Sequence, residues 1–163
     1  MPPVACNPVL TLSSEEKRAA LTSNQWCLIW AEGIQTALGQ ELSLHRFLVI
    51  PLPEDKVILF SIISDVEKRK SCYERTKKNK KIAGLFSFKK EAFPENTFDG
   101  NESVADLNNH PIERKIEDII DYRFLMLDCL NKEEKERILG YLLDREDITR
   151  QLKNLLTTIY CSL

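Results

Sequence analysis

Eight basic side chains lie within fourteen consecutive positions, and no other group of residues in the chain is as well suited to binding chemistry. They are Lys68, Arg69, Lys70, Arg75, Lys77, Lys78, Lys80 and Lys81, which we call the basic block. Clustered lysine and arginine can neutralise phosphates or pair with the carboxylates of a partner. Tyr73 lies inside the block, and Phe86 and Phe88 follow it, so aromatic rings could also stack on unpaired bases.

Charge is distributed unevenly along the 163 residues, although the net charge is only -2. Residues 67–90 carry ten basic and two acidic side chains, whereas residues 91–110 carry five acidic side chains and no lysine or arginine. The simplest interpretation is a solvated basic surface whose charge is offset by the acidic stretch. The functional alternatives are binding to an acidic protein, and binding to nucleic acid or an anionic lipid surface.

Cysteine and histidine side chains raise a second kind of function, which is catalysis. The five cysteines are Cys6, Cys27, Cys72, Cys129 and Cys161, at wide and irregular spacings without a CxxC pair. This pattern disfavours a disulfide framework or a zinc site. His45 could act as the base for the thiol of Cys27 or Cys72, as in a cysteine-dependent enzyme without a recognisable motif. His110 and Glu113 form a single pair without further metal ligands. We therefore assign no catalytic residue, metal ligand or cofactor.

Two absences in the sequence narrow the functional classes further. The five glycines are too scattered for a phosphate-binding loop, and there is no GxSxG nucleophile motif. The N-terminus lacks the charged and apolar regions of a secretory signal, and no stretch approaches the ~20 apolar residues of a membrane helix. We expect a cytoplasmic, reducing compartment, while the lysine run at 77–81 leaves nuclear import open and a small effector could be delivered into a host cell.

The N-terminal third predicts a flexible lead over residues 1–12 and then a long helix. Ser13 and Glu16 have the spacing of a capping box, which marks a helix start. Apolar residues recur at four-residue steps up to position 38, and Gly39 suits a C-terminal cap. We therefore predict a helix over residues 14–38.

The middle of the chain predicts a small antiparallel sheet. Residues 42–50 and 57–63 are rich in β-branched and apolar side chains, and the proline-containing turn at 51–55 separates them. The spacing predicts a hairpin, with a third strand over residues 82–88. Residues 64–81, which include the basic block, fit either a helix capped at Ser64 or an edge strand.

The last third predicts a long acidic loop and then helices. Residues 91–110 are acidic and rich in turn-forming side chains, so we predict one surface loop. Three helices are predicted next, beginning at Pro111, after Asn131 and after Asp144. Short connections favour packing of these helices as neighbours.

Together these features predict an α+β protein with one domain over residues 13–163. About three strands would pack with an N-terminal helix and a C-terminal three-helix cluster. We expect a non-enzymatic protein-interaction module, such as an adaptor, a chaperone or a small pathogen effector, that uses its charge-patterned surface. Nucleic-acid binding through the basic block is the first alternative, and a cysteine-dependent enzyme is the second.

Overall fold

The computed structural model describes residues 12–35, 39–42, 45–63, 65–87, 104–126 and 131–163. Its strands are β1 (Cys27–Ala31), β2 (His45–Leu52), β3 (Lys56–Ile63), β4 (Leu85–Ser87), β5 (Val104–Asp106), β6 (Ile112–Lys115) and β7 (Arg123–Met126). Its helices are α1 (Ser14–Thr22), α2 (Val66–Arg75), a 3-10 helix (Asn79–Gly84), α3 (Ile116–Ile119), α4 (Lys132–Leu143) and α5 (Arg150–Ser162). Residues 1–11 of the predicted flexible lead and residues 91–103 of the predicted acidic loop fall outside these ranges.

All the described strands join one antiparallel sheet in the order β4-β5-β3-β2-β1-β7, with β6 paired to β3 beside β5. The α+β class is therefore confirmed. The prediction of about three strands is wrong, since six strands lie along the hydrogen-bonded order and β6 adds a further one. The predicted hairpin is confirmed as β2 and β3, with Val49 opposite Leu59.

The sheet is buried on both faces. On one face, α4 and α5 cover Leu28, Leu48 and Phe60, while α1 and α3 cover Ile29 and Phe47 on the other. Each of these five side chains is at most 2% exposed. Because both faces are covered, the central strands show continuous apolar runs instead of alternation.

This two-sided burial explains why the predicted long N-terminal helix is wrong. The capping box at Ser13 and Glu16 is confirmed, but α1 ends at Thr22, and Asn24 turns the chain with a φ of 59°. Cys27–Ala31 then forms β1. An apolar run buried on both faces of a sheet resembles the stripe of a buried helix.

The predicted C-terminal three-helix cluster is also wrong. The segment after Pro111 contains β6, the single turn α3 and β7 in place of the first predicted helix. The helix start at Asn131 is confirmed, because its side chain accepts a hydrogen bond from Glu134 N. The next helix is capped by Thr149, not by Asp144. Two C-terminal helices, α4 and α5, therefore cover one face of the sheet.

The predicted loop over residues 91–110 contains a strand at its end. Val104–Asp106 forms β5, which lies between β4 and β3, and all three of its residues are buried. In the ranges described, none of the helices combines the length and apolar character needed to cross a bilayer.

Candidate functional site

The first half of the basic block is helical, which settles the choice between a helix and an edge strand. Asp65 caps α2, since its side chain accepts a hydrogen bond from Lys68 N at 3.1 Å. Val66 and Tyr73 are the buried residues of this helix, so they hold it against the sheet. Ser64, the predicted cap, lies outside the described residues.

The second half of the block follows a tight helix ending. Lys78 N donates to Tyr73 O at 2.8 Å and Lys77 N donates to Glu74 O at 3.1 Å, the pair of bonds of a Schellman motif. Lys77 occupies the left-handed position of this motif, with a φ of 57°. The 3-10 helix then returns the chain to β4.

A buried carboxylate ties α2 to the sheet. Asp106 in β5 is 0% exposed, and its Oδ2 accepts the Tyr73 hydroxyl at 2.6 Å. The same oxygen lies 3.1 Å from Arg69 Nη1. Asn108 donates to Oδ1 through its backbone N at 3.0 Å and through Nδ2 at 2.8 Å. Both oxygens are thus satisfied, as a buried charge requires.

These contacts change the ionisation of Tyr73. Burial, then the hydrogen bond and charge of Asp106, raise the pKa of the Tyr73 hydroxyl to about 12, against the opposing effect of Arg69. An unfolded tyrosine ionises near pH 10. The folded protein holds this proton more tightly, so the stability that Tyr73 contributes is complete below about pH 10 and is lost as the pH rises towards about 12.

An absorbance titration of tyrosinate tests this expectation. Burial also raises the pKa of Tyr141, so Tyr73 and Tyr141 should both contribute to the late part of the titration, and Tyr73→Phe should remove one tyrosine from it, the one near pH 12. A wild-type titration without a step near pH 12, or an unchanged number of late-ionising tyrosines in Tyr73→Phe, would contradict the assignment.

The 3-10 helix is fixed by a second set of contacts. Asn108 Nδ2 donates to Lys81 O at 2.7 Å, and the Tyr141 hydroxyl of α4 donates to Asn108 Oδ1. Gly84 is buried under the Tyr141 ring, where an added Cβ would lie 2.6 Å from Cζ. Glycine is required here by this close approach, not by its backbone angles.

Gly84→Ala is expected to destabilise the protein by about 1–3 kcal/mol, because Tyr141 must move and loosen its bond to Asn108. Gly140 in α4 is the matched control, since a Cβ there meets nothing within 4 Å. Gly140→Ala should stabilise by about 0.5–1 kcal/mol through helix propensity. Urea denaturation measures both changes, and equal shifts in one direction would refute the packing argument.

The predicted block separates into two groups of side chains. The exposed group, which we call the basic surface, consists of Lys68, Arg75, Lys77, Lys78 and Lys80. The half-buried group is Arg69, Lys70 and Lys81. Arg69 pairs with Asp106, Lys70 lies 4.0 Å from Glu67, and Lys81 Nζ lies 6.0 Å from the centre of the Tyr73 ring. Among the described residues, no carboxylate forms an ion pair with the basic surface.

Two of the three aromatic side chains predicted to assist base stacking, Tyr73 and Phe86, are not exposed on this surface. Tyr73 is 8% exposed and bonded to Asp106, while Phe86 is 4% exposed beneath the Arg137 guanidinium, 4.6 Å from the ring centre. Phe88 lies outside the described residues. Neither described ring can therefore stack on a nucleic-acid base.

The structure gives little support to the hypothesis of a cysteine-dependent enzyme. Cys27 is completely buried in β1, and burial raises the pKa of its thiol, which keeps the thiol protonated. Cys72 is half-buried on α2, and the side chain of His45 lies outside the described part. His110 Nδ1 lies 4.0 Å from Asp147 Oδ2 at the surface. Over the described ranges, no three His, Cys, Asp or Glu side chains are grouped to hold a metal.

A polar cleft lies elsewhere, between the turn after β1 and α3. Its volume is about 260 Å³, and its lining includes Gln35, Arg114, Asp118 and Tyr122. The Arg114 guanidinium already donates to the carbonyl oxygens of Gln35 and Glu113. Because Arg114 is already hydrogen-bonded, the cleft has fewer charged groups available to a ligand than the basic surface.

Asp106 is the residue of the site that sequence analysis missed. It belongs to an acidic stretch, and its partner Tyr73 lies 33 positions earlier. The usable signal was the apolar pair Val104 and Ala105 directly before it, which is typical of a buried strand end.

No protein-family model matches this chain, and no curated protein or solved structure shows a significant match. The functional assignment therefore rests on the geometry of the basic surface.

Proposed function

We propose that this protein is a non-enzymatic interaction module, of the adaptor, chaperone or small effector type, that binds an acidic segment of another protein. The observation that carries the proposal is the basic surface itself. Five exposed cations lie on α2, in the turn after it and on the 3-10 helix, without a carboxylate partner among the described residues. Such a concentration of one charge attracts an oppositely charged partner and speeds its association.

The anchoring of this segment supports the proposal. Tyr73 and Arg69 hold α2 on Asp106, and Asn108 holds the 3-10 helix through Lys81 O. The lysines between these anchors are therefore presented from a fixed backbone. A preorganised surface loses less conformational entropy on binding than a flexible tail carrying the same charges.

The conformation of Lys77 supports it further. A left-handed residue other than glycine carries a strain of roughly 1–2 kcal/mol, and glycine is the usual residue at this position of a Schellman motif. Lysine stands there with a φ of 57°. A charged residue therefore stands at this position at a cost in stability, as is common at functional positions.

The buried aromatic rings favour a protein over nucleic acid as the partner. Single-stranded nucleic acid is bound largely by stacking of bases on exposed rings. Tyr73 and Phe86 are both buried. In the part of the chain that the structure describes, the basic surface therefore offers charge without a stacking platform, which suits carboxylates at least as well as phosphates.

Binding titrations distinguish the two partner classes. We expect a labelled oligoglutamate peptide to bind with an affinity that falls as salt is added, and single-stranded DNA to bind no more tightly than the same sequence in duplex form. Absence of peptide binding at low salt would refute the proposal. Single-stranded DNA that binds at least about tenfold more tightly than duplex and peptide would identify nucleic acid as the partner.

A further inference from the structure

Arg69 connects the interior of the protein with the basic surface. Its Nη1 lies 3.1 Å from Oδ2 of Asp106, whose side chain is 0% exposed, while the Arg69 side chain remains 36% exposed. Arginine has five N–H donors in a rigid plane. One buried carboxylate therefore orients the guanidinium and leaves part of it open to solvent.

Asp106 has no further capacity to bind the rest of this guanidinium. Its Oδ2 also accepts from Tyr73, and its Oδ1 accepts two bonds from Asn108. Within the described part of the chain, no second carboxylate forms an ion pair with Arg69. Because a guanidinium has five N–H donors and 36% of the Arg69 side chain is exposed, Arg69 keeps donors for a partner while Asp106 holds it in place.

The charge of Arg69 differs in its effect from the charges of the lysines. Asp106 cancels it at long range, so Arg69 adds little to the attraction of a distant partner. At contact, the fixed guanidinium can still donate to a carboxylate in a two-bond geometry that lysine cannot offer. Oriented arginines of this kind are enriched among the residues that dominate binding energy.

We propose that Arg69 is the anchor of the basic surface and hydrogen-bonds a carboxylate of the acidic partner, while the lysines mainly provide long-range attraction. This inference rests on the proposed function. It assigns the partner a carboxylate that sits beside the Arg69–Asp106 pair, flanked by Lys68.

Oligoglutamate binding by two variants tests the anchor. Arg69→Lys keeps the charge and removes the planar donor group, so affinity should fall about tenfold, with an unchanged dependence on salt. Asp106→Asn keeps an acceptor oxygen beside the guanidinium and removes its neutralising charge, so affinity should be retained or increased. If Arg69 only held α2 in place, both variants would weaken binding together, and that outcome would overturn the inference.

Tyr73→Phe provides a second control in case Asp106→Asn does not fold. It removes one bond that anchors α2 but leaves the Arg69 guanidinium in place, so the peptide affinity should fall less than in Arg69→Lys. An affinity of Arg69→Lys within about twofold of wild type would also overturn the anchor. If Arg69→Lys leaves the peptide affinity unchanged but reversal of the exposed lysines abolishes binding, the proposed function stands without the anchor. If neither change affects the affinity, the proposed function is refuted as well.

Discussion

Replacement of Asp106 with alanine is expected to lower the free energy of unfolding by about 3–5 kcal/mol. The substitution removes the ion-pair partner of the Arg69 guanidinium and the hydrogen-bond acceptor of the Tyr73 hydroxyl. It also removes the acceptor of two bonds from Asn108. Breaking a buried pair by deleting one partner is costly, because the remaining polar groups cannot all recover hydrogen bonds with water.

The matched control is Glu117, a carboxylate that also pairs with an arginine. Its partner is Arg18, and the two side chains are 55% and 43% exposed. Solvent screens this pair, so Glu117→Ala should leave the stability nearly unchanged. Urea denaturation followed by circular dichroism measures both variants. Equal losses of stability would mean that Asp106 does not anchor α2 as described.

Reversal of three exposed lysines should produce the largest change in binding. The variant Lys77→Glu, Lys78→Glu, Lys80→Glu replaces attraction by repulsion at the end of α2, so affinity for oligoglutamate should fall about a hundredfold at low salt. The difference should shrink at physiological salt, because exposed charges are screened. Lys81 is left unchanged, since it is half-buried beside Tyr73 and its reversal would disturb the fold.

A second triple variant separates local charge from net charge. Lys115→Glu, Lys132→Glu, Arg150→Glu changes the net charge by the same amount at exposed positions outside the basic block. Its affinity for oligoglutamate should stay within a few-fold of wild type, because distant surface charges are screened. If both triple variants lose affinity equally, binding reflects overall charge and the basic surface is not a site.

Local signals in the sequence predicted the elements whose structure depends on neighbouring residues. The helix starts at Ser13 and Asn131 follow from side chains that cap the backbone three residues on. The β2–β3 hairpin follows from two apolar runs around a turn. Such contacts need no information about the rest of the chain.

Elements that depend on distant partners were predicted wrongly. Ile112 and Ile116 have helical spacing, yet Ile112 lies in β6 opposite Leu59, about fifty residues earlier. The buried strand β5 lies in an acidic stretch, and acidic stretches usually form surface loops. Asp106 can be buried because it accepts a hydrogen bond from Tyr73 and pairs with Arg69. The basic residues were identified from sequence, but their separation into exposed and anchored groups depends on that long-range contact.

Photo-crosslinking from α2 tests the central claim most directly. A photoreactive amino acid at Ser71, exposed between Lys68 and Arg75, should form an adduct with a specific protein in a lysate of the cells that express this chain. The same group at Thr157, exposed on α5, should not form that adduct, and the Lys77, Lys78 and Lys80 reversal should abolish it. An adduct digested by nuclease, or one formed equally well from Thr157, would contradict an acidic protein as the partner of the basic surface.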